Sequence, residues 1–364
     1  MIVNQLLEWK IHRKLILPNG KSIDMFKGKK ILITGGTGSL GKALAKRLLE
    51  LDVDIVRIFS RNENKQIIMQ SELNDERIRF LIGDVRDLPR LIKAVEDIDI
   101  VFHAAALKHV PVVEYNPFEA IKTNVLGSQN VIDACLSENV DTAICIGTDK
   151  AVSPLNTYGA TKLLMEKLFV TAGNYTNPER HRTKFTAVRY GNVLASSGSV
   201  IPHFINQIKE NKKVTITDPA MTRFNITMEQ ALDFIIRVYQ KSQGGEVFVP
   251  KLKAYRLEDL KNVIVKMSGK EIQSEIIPVR PGEKYHETLI NNDEIRNTFE
   301  DNKDYVILQD HLQERIEQID KLRKTELKDQ YSSDKVELLE VKEIEQILLN
   351  EKISLIWKNG HNEF

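Results

Sequence analysis

The chain alternates short, unbroken apolar runs with stretches whose apolar residues recur at helical spacing. Lys29 to Thr34, Ile55 to Ser60, Ile78 to Ile82, Ile98 to Phe102, Ile144 to Gly147 and Phe185 to Arg189 each read as a strand buried on both faces. Helical patterns lie between them, such as Ala43, Leu44, Leu48 and Leu49 after the first run and Thr123 to Cys135 before the fifth. Strand and helix alternating through about residue 190 predict an α/β fold whose 28–190 portion is a doubly wound parallel sheet. The alternation then breaks down. A helix through Ile208, another from Met228 to Gln240, a strand from Glu246 to Val249 and the segment Val279 to Lys284 predict a smaller C-terminal substrate-binding domain over 191–309. Over 310–364 the chain turns highly charged, with Leu312, Ile316, Ile319 and Leu322 at helical spacing and Leu338 to Leu349 repeating it. This predicts a helical appendage docked on the body, or a charge-solvated tail. Residues 1–27 hold enough apolar side chains for an amphipathic helix or hairpin, packed on the domain or on a second subunit, or else a tail.

The turns after the strands carry the candidate chemistry. The first strand runs through Gly35-Gly36-Thr37-Gly38-Ser39-Leu40-Gly41 into a helix, and glycines at 35, 38 and 41 let the backbone approach a pyrophosphate at the helix N-terminus. That context predicts a Rossmann-type dinucleotide site, although the spacing is G-x-x-G-x-x-G rather than G-x-G-x-x-G. At the end of the second strand, where NAD enzymes place a carboxylate for the ribose hydroxyls, stand Ser60 and Arg61, with Lys65 close behind. A cation there pairs with a 2′-phosphate and favours NADP over NAD, the alternative being a solvated Arg61. Asp84 can accept from an adenine amine, and the small residues Ala104 to Ala106 leave room for a cofactor. The fifth strand delivers Thr148, Asp149 and Lys150 to the rim where open α/β sheets do chemistry. Tyr158 and Lys162 follow one helical turn apart on one face, where the ammonium lowers the pKa of the phenol. Taken alone, Tyr-x-x-x-Lys is an ordinary pair of helix residues. Arg223 and Arg280 are candidate clamps for a nucleotide diphosphate, or else surface ion-pair partners.

Composition narrows the classes. Lys and Arg total 52 against 51 Asp and Glu, which argues against a nucleic-acid partner or a polybasic membrane patch. No apolar run approaches the roughly 20 residues of a membrane helix, and the first residues lack the layout of a secretory signal, so a cytoplasmic protein is expected. Cys135 and Cys145 sit in apolar segments as core residues, and His103 and His109 lack the companions of a metal site; no metal is expected.

Several motifs recur in a fixed order: Thr-Gly-Gly-Thr-Gly-Ser-Leu-Gly at 34–41, Ser-Arg-Asn-Glu at 60–63, Gly-Asp-Val-Arg-Asp at 83–87 and His-Ala-Ala-Ala-Leu-Lys-His-Val-Pro at 103–111. Thr-Asp-Lys-Ala at 148–151, Tyr-Gly-Ala-Thr-Lys at 158–162, Arg-Tyr-Gly-Asn-Val at 189–193, Met-Thr-Arg-Phe at 221–224, Arg-Pro-Gly-Glu-Lys at 280–284 and Tyr331-Ser332-Ser333-Asp334 follow. With them the chain resembles the extended short-chain dehydrogenase/reductases and, within these, the cytoplasmic UDP-N-acetylglucosamine 4,6-dehydratases that invert C5. It departs from them at Gly147, Ser197 and Asn225, where Ser, Arg and Trp are common. The resemblance implies an NADP site lined by Gly35, Thr37, Gly38, Ser39, Leu40, Gly41, Ser60, Arg61, Asn62, Glu63, Lys65, Asp84, Val85, Ala104, Ala105 and Asn124, with Tyr158 and Lys162. It also implies that Lys108, Asn192, Val193, Ser199, Arg223, Arg280 and Glu283 face UDP-N-acetylglucosamine, and that the protein is a homo-oligomer, a dimer or a hexamer.

Removing water across C5 and C6 of a hexose is slow because the C5 hydrogen is barely acidic, and oxidising C4 to a ketone cures this. In that scheme Tyr158, helped by Lys162 and sharing its hydrogen bond with Thr148, takes the O4 proton. Lys150 is the candidate base at C5 and Asp149 the candidate acid for the departing C6 hydroxyl. Those roles require a neutral amine beside a protonated carboxyl, a state favoured by closure of the smaller domain. Four rivals remain: a UDP-sugar 4-epimerase, which needs no acid or base at C5; a C5-retaining dehydratase; a dehydratase that later epimerises C5; and a non-catalytic NADP-binding scaffold.

Overall fold

The apolar runs fold as their alternation requires. In this computed structural model the described residues are 24–351, apart from 178, 195–198, 281, 310–311, 313–318 and 320–321. The expectations for residues 1–23, Ser197 and Ile316 lie outside them. In chain order come β1 (Lys30–Thr34), α1 (Ser39–Leu49), β2 (Ile55–Ser60), α2 (Glu63–Leu73), β3 (Ile78–Ile82), α3 (Leu88–Val95), β4 (Ile100–His103), α4 (Gly127–Ser137), β5 (Thr142–Ile146), α5 (Thr157–Thr171) and β6 (Lys184–Val188). Their strands pair in parallel in the order β3-β2-β1-β4-β5-β6. β1 is flanked by β2 on one side and β4 on the other, and such a reversal of strand order opens a crevice beyond the strand ends. Helices cover both faces, so Ile31, Leu32, Ile33, Val56 and Ile58 are wholly buried, each contributing about 1.5–3 kcal/mol. Side chains cap the helices at the crevice: Asn62 accepts from Lys65 N–H at 2.9 Å, Asp87 from Arg90 N–H at 3.0 Å and Asn156 from Gly159 N–H at 2.8 Å.

Beyond residue 190 come β7 (Asn192–Val193), α6 (Val200–Lys209), β8 (Val214–Ile216), β9 (Thr222–Ile226), α7 (Met228–Lys241), β10 (Val247–Pro250), β11 (Ala254–Arg256), α8 (Leu257–Ser268), β12 (Ser274–Ile276), β13 (Thr288–Ile290), β14 (Thr298–Glu300), β15 (Asp304–Ile307), β16 (Arg323–Lys324), β17 (Tyr331–Ser332) and α9 (Val341–Asn350). The large sheet does not stop at β6. β10 joins β6 in parallel, and β15, β14 and β16 follow antiparallel, giving ten strands among the described residues. A division of the chain at 190 therefore cuts through the sheet: the strand read at Glu246 to Val249 returns to it as β10 after α7, and the short strands β14, β15 and β16 gave no period to read. The smaller layer consists of β11-β9-β7, β12-β8 and β13-β17. Its core packs Phe204, Ile205, Ile208, Leu260 and Ile264 against Ile344 and Leu348 of α9. The final segment is thus helical only in part: β16 extends the large sheet and β17 pairs with β13.

Two elements differ locally from the sequence reading. β4 begins at Ile100, because Asp97 turns the chain at φ 60° and the Asp99 carboxylate accepts from Lys30 N–H at 2.8 Å. The helix leading to β5 opens with a π-helical turn, Ile121–Leu126, carrying Asn124. Such turns concentrate at functional sites.

Candidate active site

At the first turn Gly35 adopts φ 67°, and a Cβ there would lie 2.8 Å from the Ala105 backbone. Only bare backbone fits between β1 and β4, which suits the close approach of a pyrophosphate to the N-terminus of α1. Thr37 is half-buried, and Gly38 and Ser39 are exposed at that N-terminus; Leu40 packs on the core behind it and Gly41 is buried. At the end of β2, Ser60 is buried and bound by Gln66 Nε2 at 3.0 Å, whereas the Arg61 side chain is 55% exposed and stands 3.9 Å from Asp84. Glu63 and Lys65 are exposed on the first turn of α2. Asp84 faces Arg86 at 2.7 Å; burial pushes its carboxyl up, but Arg86 and Arg61 outweigh that and hold it below the usual range. Val85 is buried, and its carbonyl accepts from Asn130. Ala104 N–H donates to Thr34 O at 3.1 Å, fixing the strand end beside Gly35.

A buried polar chain runs beneath this crevice. Thr34 Oγ1 meets His103 Nδ1 at 2.7 Å, and His103 Nε2 meets Ser128 Oγ at 3.0 Å. Since Ser128 Oγ donates to Asn124 O at 2.6 Å, it accepts from Nε2–H, and Thr34 donates to Nδ1. Burial pulls the His103 pKa to about 3, so the ring is neutral. The π turn lets Asn124 clamp Leu107 by its N–H (2.8 Å) and carbonyl (3.0 Å) and donate to Thr161 Oγ1 at 3.0 Å. No group of three or more His, Cys, Asp or Glu among the described residues could hold a metal.

The second half forms at the end of β5. Thr148 caps the turn Asp149–Ala151 and donates to Asp149 Oδ1 at 2.8 Å. α5 rests on that turn because position 159 is glycine: a Cβ there would lie 2.2 Å from Lys150 O. The same crowding explains Gly147, where a Cβ would stand 2.3 Å from Val188 O. Lys162 Nζ donates to Ile146 O at 2.6 Å, and burial lowers its pKa to about 8. Tyr158 departs from expectation. Burial pushes its phenol up to about 12, with the Lys150 cation pulling the other way.

Lys150 lies at the centre, with 24% of its side chain exposed. Its Nζ donates to Asp149 Oδ1 at 3.1 Å and Asn192 Oδ1 at 3.2 Å, and stands 3.5 Å from Glu287 Oε1. Burial would lower its pKa, but Asp149, Glu287 and Tyr158 outweigh that and hold it as an ammonium, above the ordinary lysine range. The neutral amine expected at position 150 is thus not the resting state of this cluster. Asp149 Oδ2 and Glu287 Oε2 are buried without a hydrogen-bond partner.

The smaller layer closes the site. Arg223 donates to Thr222 O (2.8 Å) and Tyr285 O (3.0 Å), and meets Glu283 at 3.4 Å and Glu287 at 3.8 Å. Lys284 Nζ donates to Val152 O at 2.6 Å and Asn156 Nδ2 to Gly282 O at 3.0 Å, strapping 282–284 to the loop before α5. Val193 is buried on β7, Ser199 Oγ is buried and unpartnered, and Lys108 and Arg280 are exposed. Asn225 is buried on β9 and pairs in register with Asn192. Arg280 touches Glu283 through its own N–H, not through its guanidinium. Glu287 was missed from sequence; its one signal was an acid following Arg-Pro-Gly-Glu-Lys just before an apolar run.

A family model described as polysaccharide biosynthesis protein matches residues 31–309. A Campylobacter jejuni protein named UDP-N-acetylglucosamine 4,6-dehydratase (inverting) is 47% identical over 285 residues, covering 78% of this chain and 84% of its own. This chain belongs to that family. It is accordingly an enzyme of the nucleotide-sugar dehydratase and epimerase family, within the extended short-chain dehydrogenase/reductases. A Rickettsia bellii relative named UDP-glucose 4-epimerase is 41% identical over 332 residues, covering 90% of this chain and 97% of its own. The solved structure of Pen from Bacillus thuringiensis superposes with a TM-score of 0.84 at 40% identity, over 90% of this chain and 99% of that one. Among the described residues no helix is long and apolar enough to cross a membrane.

Proposed function

We propose that the protein is a UDP-N-acetylglucosamine 4,6-dehydratase that inverts C5, using NADP held along β1 to β4. The supporting observation is the Asp149-Lys150-Glu287 cluster one helix contact from Tyr158, since an epimerase has no use for an acid and a base beside C5. The bare Gly35 turn and the exposed Arg61 fit NADP, and Arg223 with Glu283 fits the nucleotide end of the sugar donor. The bound nicotinamide would supply reversible hydride acceptance, taking hydride from C4 and returning it to C6. Tyr158 would take the O4 proton as a phenolate, a form that its burial opposes and that the Lys150 ammonium and the positive nicotinamide of bound NADP would favour, with Thr148 sharing the hydrogen bond and Lys162 anchored behind it. Lys150 then passes its proton to Asp149, 3.1 Å away, which turns the resting ion pair into the neutral amine and carboxylic acid that elimination requires. Lys150 takes the C5 proton, and Asp149 protonates the departing C6 hydroxyl. A cytoplasmic homo-oligomer goes with this reading.

The test is turnover of UDP-N-acetylglucosamine in deuterated water. Loss of water, deuterium at C5 and inverted configuration are expected, and Lys150→Ala should retain NADP while losing C5 exchange. The Rickettsia relative favours a second reading, 4-epimerisation, for which the product mass would be unchanged.

A further inference from the structure

Glu287 is where the two layers of the site converge. It is 3% exposed, with Oε1 between Lys150 Nζ (3.5 Å) and Arg223 Nε (3.8 Å). Its backbone is clasped from far along the chain: Glu287 N–H donates to Ser333 Oγ at 2.9 Å, and Ser333 N–H donates to Glu287 O at 2.8 Å. Ser333 Oγ also lies 3.1 Å from Thr222 O and 2.7 Å from Thr222 Oγ1, tying the same clasp to the neighbour of Arg223. The clasp fixes the main chain from which the carboxylate projects. Burying it with an unpartnered oxygen is costly.

We infer that Glu287 is a positioning residue for Lys150: with Asn192 and Asp149 it holds the amine in place, and its charge governs when that amine gives up its proton. The groups facing Lys150 are Asp149 on its own turn, Tyr158 of α5, Asn192 of β7 and Glu287, with Arg223 of β9, Tyr255 of β11 and Lys284 farther out. Asp149 is needed as the proton's destination in the proposed elimination. Glu287 therefore supplies the charge that remains while that transfer occurs, and to this extent the inference rests on the dehydratase reading.

The experiment needs no sugar. Acylation of Lys150 by acetic anhydride is followed by mass spectrometry across a pH series, in the full-length protein with NADP. In Glu287→Gln the midpoint should fall by about one pH unit, which is about tenfold faster labelling at a fixed pH below it. Glu287→Asp, restoring the charge on a shorter stem, should fall in between. A midpoint unmoved in Glu287→Gln overturns the inference, as does faster labelling at every pH with the midpoint unmoved, which reports loosening alone. If Glu287→Gln fails to fold, the comparison of Glu287→Asp with the wild type decides: a lower midpoint supports the inference and an equal one overturns it. Product mass in the wild type separately reports whether the dehydratase reading fails.

Discussion

The two halves of the cleft are built on opposite plans. Along β1 and β2 the crevice is lined by main chain, glycines and exposed cations, with Gly35, Gly38 and Arg61 typical. At the end of β5, buried charges from residues 149, 150, 223 and 287 are packed within reach of one another. One half is shaped by bare backbone, which a side chain at Gly35 would disrupt. The other depends on the Lys150 ammonium, which Asp149 and Glu287 hold charged, and a single substitution there propagates.

The contrast is sharpest at Tyr158. Tyr158→Phe should lower turnover by about 10²- to 10⁴-fold while NADP binding, followed by cofactor fluorescence, stays intact. Parallel loss of both would mean that the two halves are not separable. Next in size is Arg189, which is buried between Glu166 (2.6 Å) and Glu294 (2.7 Å) and ties α5 to β6 and to the chain beyond β13. Arg189→Ala should cost about 3–5 kcal/mol in urea denaturation, because it strands two carboxylates; a cost under about 1 kcal/mol would show that the charges beneath the site are solvated. The backbone half has a buried titrating group, His103, at its root. His103 has a folded pKa of about 3 against 6.5 ordinarily, so the unfolded chain binds the extra proton between those values. Stability should fall as pH drops from 6.5 towards 3, by up to about 1.4 kcal/mol per pH unit, and His103→Asn should flatten that slope. The smallest effect belongs to the exposed cation: Arg61→Ala should reduce the NADP-to-NAD affinity ratio about tenfold, or about 1.5 kcal/mol. An unchanged ratio would remove Arg61 from cofactor choice.

What was legible follows the same division. The strands through β6, the glycine turn and the pair Tyr158 and Lys162 are set by local spacing and stand where their patterns placed them, apart from shifts of one or two residues at strand ends, as in β4 and β5. Family membership was legible for the same reason, since the ordered motifs are local strings. The strand Glu246 to Val249 was read, but not that it joins the large sheet as β10, and the extension by β14, β15 and β16 was not legible, because antiparallel strands of two to four residues carry no period. Nor was Glu287, whose meeting with Lys150 spans 137 positions of sequence and is a product of tertiary packing alone. The lowered phenol expected from Tyr158 beside Lys162 failed on direction: helix spacing gives proximity, but burial and the turn of Lys162 towards Ile146 O come from the fold.

Ser333 lies beyond the stretch matched by the family model, yet its hydroxyl reaches back more than a hundred residues to Thr222. A ribosome that has released every glycine, tyrosine and lysine of the cleft has still not made the hydroxyl that clasps Glu287. In a chain made from its N-terminus, the clasp on Glu287 is therefore completed after every other group around Lys150 has been synthesised.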